Sequence, residues 1–351
     1  MSRTPAHPQY PLDSRLSGDK LDQPVKVVDT VASTLACRLL VCCAFVVAGF
    51  GQPLAPSLKP AAASDAEIFP RADLRVDVPL VEIPVHVTTH LGASVTDLKQ
   101  ESFRLFEDKI EQKIVSFVSE DAPVSIGLLF DMSGSMKDKM RKASDSAIEI
   151  LKTANPEDEF FLIEFNDRPK LMVPFTRDIS EIQQELAAAR PRGQTSLLDA
   201  IHLAVSEMKK ARHLRKALII VSDGGDNHSR HSEAQIKEDM LEADVQVYAM
   251  GIFEEVALHK GTREEREGPR LLSDLAEKTG GRHFPVKQLS ELADVCARIG
   301  DELRNQYLLG FFSTNAVRDG KYRHIRVAVE PPAGAPMVRV SYRLGYYAPS
   351  E

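Results

Sequence analysis

From Val124 onward, short apolar runs alternate with stretches of helical spacing. Ile126-Gly127-Leu128-Leu129-Phe130 has no polar residue between its apolar ones, the pattern of a strand covered on both faces in a parallel sheet flanked by helices. Met140, Ala143, Ala147 and Ile150 then recur at helical spacing. Residues 160–163 and 171–173 read as strands whose link is too short for a crossover helix, so they should be antiparallel, the second at a sheet edge. Helices follow at 179–189, 197–208, 233–241, 271–278 and 289–303, and strands at 217–222, 245–251 and 283–284. This alternation predicts a doubly wound, mostly parallel α/β sheet over residues 121–305. Residues 254–270, rich in charge and without apolar periodicity, read as a surface loop.

The flanks carry a different period. Val76, Val78 and Leu80, then Ile83, Val85 and Val87, occupy alternate positions, with Pro79 and Pro84 signalling an edge or a bulge. Phe103 and Leu105 continue the alternation, 107–109 turn, and 113–118 form another strand. Beyond the central block, 306–312, 324–329 and 337–344 are strand candidates, split by Asp319-Gly320 and Pro331-Pro332. Neither flank is large enough to bury a core alone. Segments 72–120 and 306–348 are therefore expected to pair as one small β-sandwich in which the α/β domain is inserted.

The chemistry sits where the first buried strand ends. Asp131, Ser133 and Ser135 alternate, so in an extended turn their oxygens point to one side, with Gly134 relieving the backbone between them. Ligands of parallel sheets bind beyond the carboxyl ends of the strands. One carboxylate and two hydroxyls are hard ligands that suit Mg²⁺. Two more pieces follow: Thr195, after Gly193 at the start of a helix, and Asp223-Gly224, at the end of the strand 217–222. Either Asp alone reads as a helix cap. Together at two strand ends, with Thr195 between, capping accounts for them poorly, and two adjacent carboxylates without a cation would repel.

This Asp-x-Ser-x-Ser, Thr and Asp-Gly set resembles the metal-ion-dependent adhesion site of von Willebrand factor type A domains, all five positions being filled. The resemblance implies a Rossmann-like fold over 121–305. It implies that Asp131 contacts a cation through water, that Ser133 and Ser135 coordinate directly, that Thr195 binds directly or through water, and that Asp223 acts mainly through water. Mg²⁺ is the expected cofactor, with Mn²⁺ or Ca²⁺ as alternatives. Asp199 is a candidate to hold the Thr195 loop, equally readable as a first-turn Asp favoured by the helix dipole. Asp226, His228 and His231 read as a solvated loop more readily than as a second cation site. FRLFED, YLLGFF and LGYYAP extend the resemblance to the von Willebrand A-related proteins of acidobacteria.

Composition narrows the function. A net charge of -7 without a concentrated basic face argues against a nucleic-acid partner. Residues 1–52 read as a leader, with Arg38 before the apolar run 39–50: a secretory signal, or an uncleaved anchor if counted from Val31. Either places the rest in the periplasm, cell envelope or outside, with the membrane touched only through that segment. A Pro/Ala-rich linker, 53–71, follows. Cys37, Cys42 and Cys43 fall in the leader, leaving Cys296 as a packed core thiol with no intrachain disulfide partner. The expected function is cation-dependent adhesion to a protein that presents Asp or Glu. Metal-assisted hydrolysis competes, but no general base, P-loop or His-Glu-x-x-His is present, so no enzyme activity is expected. A scaffold role beside an ATPase assembly is a third reading, opposed by the leader.

Overall fold

The structure, a computed structural model, describes residues 79–119, 121–253, 261–330 and 337–350. The leader, the linker and the expected strand positions Val76 and Val78 lie outside the described residues. Among those described, no helix is long and apolar enough to cross a membrane.

Four strands come first: β1 (Leu80–Thr89), β2 (Phe103–Glu107), β3 (Ile110–Gln112) and β4 (Ile114–Val118). The central block runs β5 (Val124–Asp131), α1 (Met140–Lys152), β6 (Glu159–Phe165), β7 (Pro169–Thr176), α2 (Ile179–Ala188) and α3 (Leu197–Met208). It continues with β8 (Arg215–Ser222), α4 (Glu233–Glu242), β9 (Gln246–Ile252), α5 (Arg263–Lys278), β10 (Arg282–Val286) and α6 (Leu292–Arg304). Four strands close the chain: β11 (Gln306–Phe312), β12 (Tyr322–Val329), β13 (Val338–Tyr342) and β14 (Gly345–Tyr347).

The central sheet has the order β10-β9-β8-β5-β6-β7. All its pairings are parallel except β6 with β7, which are antiparallel with β7 at the edge. Ile126, Leu128 and Phe130 pack on one face with α1, α2 and α6. Leu129 packs on the other with α3, α4 and α5. Burial on both faces is why β5 has no polar alternation, and each fully buried aliphatic or Phe side chain there contributes about 1.5–3 kcal/mol. Cys296 is buried in the first of these cores, and burial pushes its thiol up to about 12.

The flanking strands form two four-stranded sheets, β13-β1-β11-β4 and β14-β12-β2-β3, each mixing N- and C-terminal segments. Val85, Phe103, Leu105, Leu309, Phe311, Ile325 and Val327 share one core between them, so the sandwich is built from both ends of the described chain. Pro84 is not in an edge strand, since β1 pairs with both β11 and β13. It sits where β13 has not yet begun, the register with β13 starting at Val85, so the missing N–H leaves no ladder bond unmade.

One stretch departs from the sequence reading. Residues 263–270 are the first turns of α5 rather than a loop. Thr262 and Glu265 form a capping box, and Arg263 pairs with Glu267 at 2.9 Å one turn on. Local polar signals, not an apolar stripe, start this helix.

Candidate functional site

Asp131 ends β5 and is fully buried. Its Oδ1 accepts a hydrogen bond from the Ser133 amide at 2.8 Å, and its Oδ2 accepts one from the Ser222 hydroxyl at 2.6 Å. Ser222 in turn accepts from the Gly224 amide at 2.9 Å. This serine ties the ends of β5 and β8 together, and sequence reasoning gave it no role beyond ending a strand.

Met132 and Met136 turn into the core, which sends the intervening serines the other way. The Ser133 and Ser135 hydroxyl oxygens lie 3.0 Å apart. Ser133 is buried, Ser135 and Gly134 are exposed, and the Asp223 side chain is 12% exposed. Oxygens thus rise from a buried carboxylate to an accessible hydroxyl, leaving one side of the group facing solvent.

Three turns are fastened around this group through main-chain bonds. The Gly134 amide donates to the Gly193 carbonyl at 3.1 Å, and the Arg192 amide donates to the Met132 carbonyl at 2.7 Å. The Asn227 and His228 amides both donate to the Thr195 carbonyl at 3.0 Å, while the Thr195 amide donates to Asn227 Oδ1 at 2.9 Å. Thr195, itself buried, therefore sits between the Asp131–Ser135 turn and the turn that follows Asp223. Two glycines permit this. Gly193 has φ +83° with the Asp167 carboxylate where a Cβ would stand, and Gly224 has φ +77° with the Gly268 backbone 3.0 Å from such a Cβ.

The carboxylates feel one another. Burial first, and then the charge of Asp223, push Asp131 up to about 7, with hydrogen bonds from Ser222 and Ser133 opposing the rise. The Lys139 ammonium lies 3.7 Å from Asp223 Oδ2 and is itself buried, a cation in the site that no sequence signal indicated. Among the described residues no three His, Cys, Asp or Glu side chains cluster to hold a metal ion, so a cation here would draw on hydroxyl as well as carboxylate oxygens. The donor set, two carboxylates and hydroxyls with no nitrogen or sulfur, fits a hard divalent cation.

The remaining candidates are structural. Asp199 Oδ1 accepts from the Arg230 and His231 amides at 2.9 and 3.1 Å and lies 2.7 Å from His231 Nδ1. It anchors the loop after Asp223, not the Thr195 loop. That loop is held instead by Asp167, which accepts from the Gln194 amide at 2.8 Å, and by Asp226, which accepts from the Leu197 amide at 2.9 Å and so caps α3. Asp226 is therefore a cap supplied from a distant part of the chain rather than a solvated loop residue. His231 pairs with Asp199 and stacks on His202 at 4.1 Å between ring centroids.

A family model described as von Willebrand factor type A domain matches residues 126–225, which include all five oxygen-bearing positions. Inter-alpha-trypsin inhibitor heavy chain H4 of Bos taurus is 25% identical over 134 residues, 34% of this chain and 15% of that relative's length. Among solved structures, BatB from Bacteroides thetaiotaomicron is 19% identical with a TM-score of 0.42, covering 51% of this chain and 98% of that one. A von Willebrand factor type A protein from Catenulispora acidiphila is 12% identical with a TM-score of 0.45, covering 70% and 75%. Proximal thread matrix protein 1 from the mussel byssus, with a zinc-occupied MIDAS motif, is 16% identical with a TM-score of 0.46, covering 56% and 48%. Residues 126–225 thus match a von Willebrand factor type A domain.

Proposed function

We propose that Asp131, Ser133, Ser135, Thr195 and Asp223 hold a divalent cation, Mg²⁺ in the first instance, and that the protein uses it to bind an acidic side chain of a partner protein. The observation that carries this reading is the buried Asp131 carboxylate facing the charge of Asp223, with the Ser133 and Ser135 hydroxyls 3.0 Å apart above it. The charge of Asp223 adds to the cost of ionising the buried Asp131, a cost that a divalent cation bound by both removes.

When bound, the cation supplies positive charge and an exchangeable coordination position that a Glu or Asp can take. The chain's own residues do the rest. Ser222 and the Ser133 amide fix the Asp131 carboxylate, Asn227 fixes Thr195, and the exposed Ser135 leaves the outer side accessible. The leader read from the sequence places this activity outside the cytoplasm, in the periplasm, envelope or medium.

The test is capture of partners by cross-linking from an envelope extract, with Mg²⁺ and with EDTA, by the wild type and by Asp131→Ala. Capture is expected with Mg²⁺ and the wild type only. Equal capture in all arms, by a variant shown to be folded, rejects the mechanism.

A further inference from the structure

Beside the metal loop, at the same sheet edge, lies a cavity of about 490 Å³. Met132, between Asp131 and Ser133, lines it, as do Glu164 and Phe165 at the carboxyl end of β6. Four cations stand around it, Arg168, Lys170, Arg190 and Arg192, against two carboxylates, Glu164 and Glu185.

All four cations are exposed. Arg190 donates to the Ala188 and Ala189 carbonyls at 3.2 and 2.9 Å, closing the end of α2. Arg168, Lys170 and Arg192 are in no ion pair among the described residues. Exposed cations of this kind add little to folding, and in a chain of net charge -7 their grouping at one edge calls for another account. Glu164 faces Lys170 across the β6–β7 pair and offsets these charges only in part. Its Oε1 is shielded from solvent without a hydrogen-bond partner, and burial first, then Glu185, push its carboxyl up to about 7. Near neutrality this group is partly protonated and able to donate to an incoming anion.

The geometry points to a second, anion-accepting subsite here, which takes a carboxylate of the same acidic segment whose first carboxylate is held at the Asp131–Ser135 turn. This rests on the cation-dependent reading above and narrows it: the partner presents two acidic residues close together in one segment. Met132 borders both places, so a short peptide reaches from one to the other. The volume lies within the roughly 300–1,000 Å³ usual for ligand sites, enough for a side chain with flanking backbone.

The experiment measures binding of two synthetic peptides to the full-length protein, hexaglutamate and a glycine peptide with a single Glu, by fluorescence anisotropy in Mg²⁺ and in EDTA. Hexaglutamate is expected to bind about tenfold tighter than the single-Glu peptide in Mg²⁺, the gain of two-point attachment. Arg168→Glu with Lys170→Glu removes that advantage while leaving single-Glu binding and calorimetric Mg²⁺ affinity unchanged. Arg168→Lys with Lys170→Arg retains it. An advantage that survives charge reversal overturns the subsite, and so does an equal loss for both peptides, which marks a general field effect. Single-Glu binding that ignores EDTA overturns the cation reading instead; the effect of charge reversal on hexaglutamate still reports on the cavity, because that contact needs no metal.

Discussion

Replacing Asp131 by Asn preserves the side chain's shape and removes its charge, which makes it a direct measure of what the metal-free site costs. In the folded chain the Asp131 carboxyl titrates at about 7 against an ordinary 3.8. A folded carboxyl that holds its proton more tightly than the unfolded one lowers stability as pH rises from 3.8 to about 7, with no further loss above. A shift of about three units corresponds to roughly 4 kcal/mol at pH 8. The Asn side chain has one acceptor oxygen, so it cannot accept from both the Ser133 amide and the Ser222 hydroxyl as the carboxylate does at 2.8 and 2.6 Å, a loss of about 1–2 kcal/mol. In EDTA at pH 8, Asp131→Asn should therefore be more stable than wild type by about 2–3 kcal/mol. At pH 5 the folded wild-type carboxyl is mostly protonated, and the variant's advantage should shrink by roughly 2–3 kcal/mol, about two units of titration. Mg²⁺ at one thousand times its Kd should reverse the order at pH 8, since it adds about 4.1 kcal/mol to the wild type alone. Urea denaturation at the two pH values, with EDTA and with Mg²⁺, checks all of these. A variant equally destabilised at pH 5 and pH 8 would refute the claim that Asp131 is a buried charge awaiting a cation.

Other perturbations probe the same frame. Lys139→Met removes a buried ammonium 3.7 Å from Asp223 Oδ2, a charge that repels a divalent ion held by the same carboxylate, so calorimetry should show Mg²⁺ affinity rising by at least about tenfold, and weaker binding would assign Lys139 a supporting role instead. Gly268→Ala would ordinarily favour a helix, yet its Cβ would fall 2.8 Å from the Gly224 backbone. It should cost about 1–3 kcal/mol and weaken Mg²⁺ binding by displacing the Asp223 loop; a thermally stabilised variant with intact affinity contradicts this. Glu164→Gln should gain stability over wild type as pH rises from 4.5 to about 7, the range between the ordinary carboxyl value and the raised one. A stability difference that does not vary with pH in denaturation curves would place Glu164 in solvent.

The fold was legible where the physics is local and repetitive. The unbroken apolar run of β5 announced burial on both faces, and the short link between β6 and β7 left only an antiparallel pairing. The alternating flanks announced sheets with one buried face, and their shared core is what the structure shows. Where structure follows from polar contacts between distant segments, the sequence was silent. The first turns of α5 lack an apolar stripe, so a charge-rich segment concealed a helix that starts from the Thr262 cap. The capping role of Asp226 is not local; its partner amides at Leu197 and Leu198 are 29 and 28 residues away in sequence. The same holds at the site. The five oxygen-bearing residues of the proposed site rest on spacing and resemblance, whereas Ser222, Asn227 and Lys139 enter only through contacts that folding creates.

The insertion of the α/β domain into the sandwich decides which end of it is free. β5 has eight residues, and seven steps of about 3.3 Å put Val124 about 23 Å from Asp131. Contacts with the sandwich gather at the Val124 end. Arg215, at the start of β8, donates to the Ala122 carbonyl at 2.6 Å and to the Gln306 side chain at 3.1 Å. Asp158 accepts from the Val124 amide at 2.7 Å and pairs with Arg304 at 2.9 Å, just where the chain leaves α6 for β11. Arg343 reaches Asp244 before β9, and the Leu344 amide donates to the Lys278 carbonyl at the end of α5. Every one of these fastenings lies at the amino edge of the parallel strands, where parallel sheets do not bind ligands. Holding the domain and presenting Asp131, Ser133, Ser135, Thr195 and Asp223 are thus tasks of opposite edges of one sheet. The proposed acidic segment would then approach the carboxyl edge without displacing these contacts between the domain and its sandwich.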